Sequence, residues 1–523
     1  MNRSTMLAQA QAHPGPWDII VIGGGATGVG VALDATTRGY STLLLEQHDF
    51  GKGTSGRSTK LVHGGVRYLE QGNISLVMEA LKERGLLRQN APHLVSELPF
   101  IVPSYSWWEG PFYGIGLKIY QLLSGKFGFG PSKFLSKEAT LARLPNLKTD
   151  GLTGGVVYFD GQFDDTRLLI HLVASAAEQG ATLLNYSPVL SLQKDPDGLV
   201  HGLTWKDAES GQIHSASARV VINATGAFSD SVRHLDDPAS SPLISPSQGA
   251  HLVLDRSFLP GDTAIMVPHT SDGRVMFAIP WHGHTLVGTT ETPVSQPSLE
   301  PVPFDEEIEF MLSTAALYLA KPPTRADILS VFAGIRPLVK AAGHKNTAAL
   351  SRDHTIHIDP SGLISIAGGK WTTYRNMAED AVNHAATLGD LPEKPCLTRS
   401  LNVHGYHPNA APFGSLSVYG SDAPAIQFLF TENPHLATPL DHDLPYLAAE
   451  VIWAARFEMA RTVEDILARR TRALFLNAHA ALRSAPQVAA LLASELGHDL
   501  AWQTQQIHDF TQIAQGYQVH LNP

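Results

Sequence analysis

"WDIIVIGGGATGVGVALDATTRGYSTLLLEQ", residues 17–47, changes its hydrophobic period twice within a short length of chain. Trp17 to Ile22 is an apolar run of strand type that ends in three consecutive glycines. From Ala26 to Arg38 small and apolar residues recur at helical spacing, and Gly39 supplies the stop. "STLLLE" (41–46) is a second strand, so the stretch is a βαβ unit. Gly23, Gly25 and Gly28 stand where strand gives way to helix. There Gly23 permits a tight turn, Gly25 lets backbone approach a pyrophosphate, and Gly28 lets helix and strand pack closely. The helix N-terminus then offers free N–H groups to the phosphates. Glu46, about twenty residues further on, ends the second strand, where a carboxylate accepts from ribose hydroxyls and repels a 2′-phosphate. The unit is dinucleotide-binding, and taken alone it leaves FAD and NAD open.

Two later segments repeat the step from strand to glycine turn. "INATGAFSD" (222–230) carries Gly226, and "SIAGGKWTTYR" (365–375) carries Gly369. Each brings bare backbone to the edge of the same sheet, as a long cofactor lying extended across it requires, and this favours FAD. The Asp164-Asp165 pair before "TRLLIHLVASAAEQ" reads as a helix N-cap. Residues 242–360 are rich in Val, Ile, Thr, Pro and Gly, which predicts antiparallel strands and loops. Beyond about residue 400 the chain is helix-rich, after a proline-bearing linker at 391–413. The expected partition is a flexible lead-in at 1–16 and a discontinuous Rossmann-type α/β FAD domain at 17–75, 150–235 and 360–390. A capping domain would occupy 76–149 and 236–359, and a helical domain 400–523.

Composition bounds the function. A chain of 523 residues, 43% hydrophobic, is long enough for two or three folded domains. With 38 basic and 49 acidic residues the net charge is -11, which argues against nucleic acid as a partner. The single cysteine, Cys396, cannot form a disulfide within the chain or an all-cysteine metal cluster. The N-terminal stretch has no apolar signal core, and no apolar run reaches bilayer-spanning length. His282 and His284 in "WHGH" alternate without a third ligand, so no metal is expected there.

A second stretch, "GTSGRSTKLVHGGVRYL" (53–69), is too polar for a core strand and too poor in acids for a solvated helix face. Together with "IGGGATGVGVALDATTRG", "AGIRPL" and "GGKWTTYRNMAEDA" it resembles the FAD-dependent glycerol-3-phosphate dehydrogenase family. The resemblance runs in order from about Trp17 to Asn477. It implies a glutathione-reductase-like FAD domain, an antiparallel sheet capping the substrate, a helical C-terminal domain and electron delivery to quinone. Ser55, Ser58, Thr59, His63, Gly64 and Gly65 match positions lining the flavin and its phosphates. Arg67, Tyr68, His251, Arg336, Lys370 and Thr373 match positions around glycerol 3-phosphate. A phosphate dianion needs at least two fixed cations, which Arg336 and Lys370 supply. Arg336 and Lys370 can also stabilise an alkoxide. His251 is the expected proton acceptor because its ordinary pKa is near ~6.5, and Arg336 is an equal contender for the reacting oxygen.

The departures narrow the type. No calcium loop of the D-x-[DN]-x-[DN]-G kind and no cysteine-rich tail are visible, which leaves the single-chain aerobic type. An oxidase-specific insertion is not evident, which favours quinone over oxygen. The rival readings are an amino-acid or sarcosine-type oxidase on the same fold, whose carboxylate substrate needs one arginine, and a non-catalytic FAD-binding protein. "PSYSWWEGPFYGIGLKIYQLLSGKFGFGPSKFLSK" (103–137) sets Trp107, Trp108, Phe112, Tyr113, Ile119 and Tyr120 beside Lys118, Lys126, Lys133 and Lys137. Aromatics favour the membrane interface and lysines favour anionic headgroups. The segment is therefore expected to attach a cytoplasmic protein to the inner face of the membrane and to admit quinone. A homodimer is among the assemblies the resemblance allows.

Overall fold

The computed structural model describes residues 1–65, 73–106, 109–268, 270–271, 273–340 and 354–519. Its first sheet is centred on strand Trp17–Ile22, whose residues are buried except for Asp18. Such a strand, covered on both faces, needs a continuous apolar run, not an alternating one. Thr42–Leu45 and Ile213–Asn223 flank it in parallel, with Ile20 opposite both Leu43 and Val221. Thr182–Leu184 and Ile364–Gly368 extend the parallel layer, and His354–Ile358 closes one edge antiparallel. Helix Ala26–Thr37 crosses between the first two strands and is buried along most of its length. That burial explains why it is built from Ala, Gly and Val.

The second sheet is mixed and mostly antiparallel. Its longest pairing joins Ile244–Asp255 to Ile328–Val339, with Ser247 opposite Arg336 and His251 opposite Phe332. His284–Gly288 lies on the other side of Ile244–Asp255, with Gly288 opposite His251. Val95–Ser104 pairs with Gly154–Phe163, which in turn pairs with Leu61–Val62. Leu61–Val62 and Gly154–Phe163 thus belong to the second sheet, although sequence assigned them to the FAD domain. His354–Ile358, assigned to the cap, belongs to the first. Period and composition announce a strand but not its partner, and these three strands were placed by tertiary pairing.

The N-terminus is a correction. Arg3–Ala12 forms a helix, not a frayed lead-in. Arg3 is buried and donates to Asp207 Oδ1 at 2.6 Å and to the Asn185 carbonyl at 3.1 Å. Its partners lie some two hundred residues away, so nothing local revealed them. The C-terminal part is helical as expected, including Ala448–Phe457, Ala478–Leu496 and Leu500–Gln515. It is fastened to the dinucleotide domain by buried ions: Arg469 and Arg470 donate to Asp49 Oδ2 at 2.6 and 2.7 Å. No helix among the described residues is long and apolar enough to cross a membrane.

Candidate active site

A cavity of about 680 Å³ opens between the two sheets. One end is built by the turn after Trp17–Ile22. Gly23 adopts φ +109°, and a Cβ there would lie 2.8 Å from the Ala224 carbonyl oxygen. The glycine therefore lets the first and second strand-to-turn steps meet at the sheet edge. Gly28 does not line the cavity; a Cβ on it would sit 1.9 Å from the Gly23 oxygen, so its role is the close packing expected of it. The first helical N–H, of Ala26, donates to Ser55 Oγ at 2.9 Å, which ties the polar 53–65 stretch to the dinucleotide turn. Glu46 accepts from the N–H of Gly24 at 2.6 Å and of His48 at 2.8 Å. Burial raises its carboxyl, and these two N–H groups oppose the shift.

Gly23, Gly25, Glu46, Ser55, Ser58, Thr59, His63, Gly65, Gly226, His251, Arg336, Gly369 and Lys370 all line this one cavity. Gly64 lies just behind it, its N–H donating to the Tyr120 hydroxyl at 2.8 Å. Thr373 also stands back: it is buried, and its hydroxyl donates to the Lys370 carbonyl at 3.2 Å. Arg67 and Tyr68 lie outside the described residues.

The wall that carries Arg336 and His251 is polar. Arg336 donates to the Gln248 carbonyl at 3.3 Å and to Thr289 Oγ1 at 3.0 Å. Its guanidinium lies over Gly249, where a Cβ would meet it at 2.5 Å. His251 Nε2 is 2.9 Å from Thr59 Oγ1, and its ring stacks on Phe332 at 4.8 Å. A Cβ on Gly288 would come within 2.3 Å of that ring. Burial, and then the charges of Lys60 and Arg336, hold the His251 imidazole well below its ordinary range. Its ordinary pKa therefore does not describe it.

Several groups here had no sequence signal. Arg274 also lines the cavity and donates to the Glu291 carbonyl at 2.7 Å, but nothing distinguished it within "SDGRVMF". Gly249 and Gly288 make room for side chains from other strands, which only the register shows. Asp164 does cap its helix, accepting from the Arg167 N–H at 3.0 Å, and also binds His282 Nε2 at 2.9 Å. Asp165 does not cap; it is buried against Lys60 at 2.6 Å.

A bare turn at a helix start, a carboxylate at the end of the next strand and a cavity that extends past further glycines define a dinucleotide-dependent oxidoreductase. Residues 18–375 match the family described as FAD dependent oxidoreductase, and residues 364–505 match the C-terminal domain of alpha-glycerophosphate oxidase. The probable mitochondrial glycerol-3-phosphate dehydrogenase of Caenorhabditis elegans is 41% identical, over 94% of this chain and 72% of that one. The mitochondrial enzyme of Homo sapiens is 40% identical, over 95% and 74% respectively. The X-ray structure of the Bacillus halodurans glycerol-3-phosphate dehydrogenase complexed with FAD superimposes with a TM-score of 0.81, at 30% identity, covering 100% of this chain and 98% of that one. The chain belongs to the FAD-dependent glycerol-3-phosphate dehydrogenase family. Its cofactor is FAD, and the residues present fit it: Gly23, Gly25, Gly226 and Gly369 leave open backbone along the cavity, and the Glu46 carboxylate also lines it.

Proposed function

We propose that the protein oxidises sn-glycerol 3-phosphate to dihydroxyacetone phosphate and passes the electrons to a membrane quinone. The observation that carries this reading is one cavity lined both by the dinucleotide turn and by Arg336, Lys370 and His251. Arg336 and Lys370 would hold the phosphate dianion, Arg336 through paired N–H donors and Lys370 as a point charge. That anchor orients C2 of the alcohol toward the flavin side of the cavity. His251, kept neutral by burial, takes the C2 hydroxyl proton, while Arg336 stabilises the developing alkoxide. The chemistry supplied by bound FAD is acceptance of the C2 hydride.

The second half of the proposal concerns attachment to the inner face of the cytoplasmic membrane. Helix Glu109–Ser124 exposes Phe112 (54%), Ile115 (65%) and Leu122 (74%), and Phe134 beside it is 65% exposed. Lys118, Lys126, Lys133 and Lys137 flank this patch, and each lysine adds about 1 kcal/mol near anionic headgroups. Tyr113 and Tyr120 do not contribute: with Leu117 they form the buried face of the helix. Their seven-residue spacing puts them on one side, which composition alone did not reveal. Trp107 and Trp108 lie outside the described residues.

The test is anaerobic. Glycerol 3-phosphate should bleach the flavin absorbance of the purified protein, and glycine or D-amino acids should not. A short-chain quinone should then restore the absorbance faster than air does. An Ile115→Ser, Leu122→Ser variant should lose co-sedimentation with anionic vesicles while bleaching normally. Bleaching by an amino acid would overturn the substrate, faster reoxidation in air the quinone acceptor, and unchanged co-sedimentation of the variant the membrane attachment.

A further inference from the structure

Beneath the cavity, residues 54–60 are held by charges that the reaction above does not use. Lys60 is fully buried, and its φ of +62° lies in the left-handed region, which a lysine occupies only where its surroundings hold it. Its ammonium donates to Asp165 Oδ2 at 2.6 Å and to the Gly56 carbonyl at 3.0 Å. Asp165 Oδ2 also accepts from the N–H and hydroxyl of Ser58, at 3.0 and 2.8 Å. From the C-terminal helical part, Arg472 donates to the same Gly56 carbonyl at 2.8 Å and lies 3.3 Å from Asp165. Two cations thus face one carboxylate. The next acid along, Asp164, is taken up by His282 and the Arg167 N–H.

The residual positive charge has a route to the site. Lys60 Nζ is 5.2 Å from the Phe332 ring, and that ring stacks on His251 at 4.8 Å. Trp281 and Phe475, at 5.2 and 5.3 Å, complete an aromatic enclosure that keeps water from screening the ammonium. Among the described residues, the charges that act on His251 are those of Lys60 and Arg336.

We propose that Lys60 is a positioning residue for the oxidation: through Asp165 it fixes Ser58 and Thr59, and across Phe332 it places a positive field on His251. The role in oxidation rests on His251 as the proton acceptor proposed above. Burial, opposed by Asp165, brings the Lys60 ammonium down to about 7. The field is therefore strongest on the acid side of neutrality, where it keeps His251 from protonating.

The test uses Lys60→Met in the FAD-loaded protein, since methionine keeps an unbranched stem among the three rings and removes the charge. The histidine rings are followed by NMR in ¹³C-labelled protein, with the His251 signal assigned by its loss in His251→Asn. The His251 titration is expected to move up by about one pH unit or more, and the acid limb of the kcat/KM profile with it. Lys60→Arg should restore both, which a purely packing role would not predict. Lys60→Gln, whose amide still donates to Asp165, serves as a second uncharged variant should methionine not be tolerated. An unmoved His251 titration in the uncharged variant overturns the proposal. A moved titration with an unmoved acid limb upholds the field at His251 and overturns instead the proton-acceptor reading.

Discussion

Cutting Arg336 back to alanine separates phosphate recognition from cofactor binding. Its guanidinium donates to the Gln248 carbonyl, on strand Ile244–Asp255, and to the Thr289 hydroxyl, just past strand His284–Gly288. Neither partner touches the dinucleotide turn, so Gly23, Gly25 and Glu46 keep their geometry in the variant. Lys370 follows strand Ile364–Gly368 by two residues and lines the same cavity. A dianion in such a site that loses one charged hydrogen bond is weakened by about 1.5–3 kcal/mol, or roughly 10- to 150-fold. Arg336→Ala and Lys370→Ala should each lower kcat/KM for glycerol 3-phosphate by at least that range, with flavin occupancy retained. Bare glycerol lacks the dianion and should be a poor substrate for the parent. The quantity to measure is the ratio of kcat/KM for glycerol 3-phosphate to that for glycerol, which should shrink in both variants. If neither variant changes the ratio, these cations do not hold the phosphate, and a carboxylate-binding oxidase becomes the better reading.

Three further outcomes follow from the geometry. Glu46→Arg removes the acceptor for Gly24 and His48 and puts a cation at the ribose end, so FAD affinity should fall; unchanged affinity in a fluorescence titration would refute the assignment of that strand end. Burial alone would raise the Asp49 carboxyl, but Arg470 and Arg469 override it and hold the group below the usual carboxylate range. Asp49→Asn removes the carboxylate that Arg470 holds at 2.7 Å, while Arg469 keeps Glu464 and Asp465, and should destabilise by about 3–5 kcal/mol, read as a lowered Tm; a Tm equal to the parent's would show that the Asp49–Arg470 pair is not an energetic anchor. His404 bridges Glu178 at 2.6 Å and Asp422 at 2.7 Å, and these carboxylates override desolvation to raise its pKa to about 10. A raised folded pKa contributes stability that is complete below the unfolded value of ~6.5 and lost as pH rises toward 10. The parent should lose stability across that window in denaturant titrations and His404→Gln should not; parallel pH profiles would refute the clamp.

The dinucleotide unit was legible because every signal in it is local. An apolar run, a glycine turn, a helical period and a terminal acid lie within thirty-odd residues, and each is set by backbone sterics or burial on a neighbouring element. The later glycine turns at Gly226 and Gly369 were legible for the same reason, and the resemblance to the glycerol-3-phosphate dehydrogenase family carried Arg336, Lys370 and His251. Tertiary structure alone decided the state of those groups. His251 seemed suited to proton transfer by its ordinary pKa, yet its burial on Phe332, between Lys60 and Arg336, changes that value. Asp164 and Asp165 are adjacent and alike in sequence, but one caps a helix while the other is sealed against Lys60 and Arg472. Arg3 looked like part of a loose tail until Asp207 closed on it. In each case the deciding partner is a charge or ring brought in from a distant segment. Burial strengthens such an interaction by removing water, and a sequence does not record which distant groups will share the same dry space.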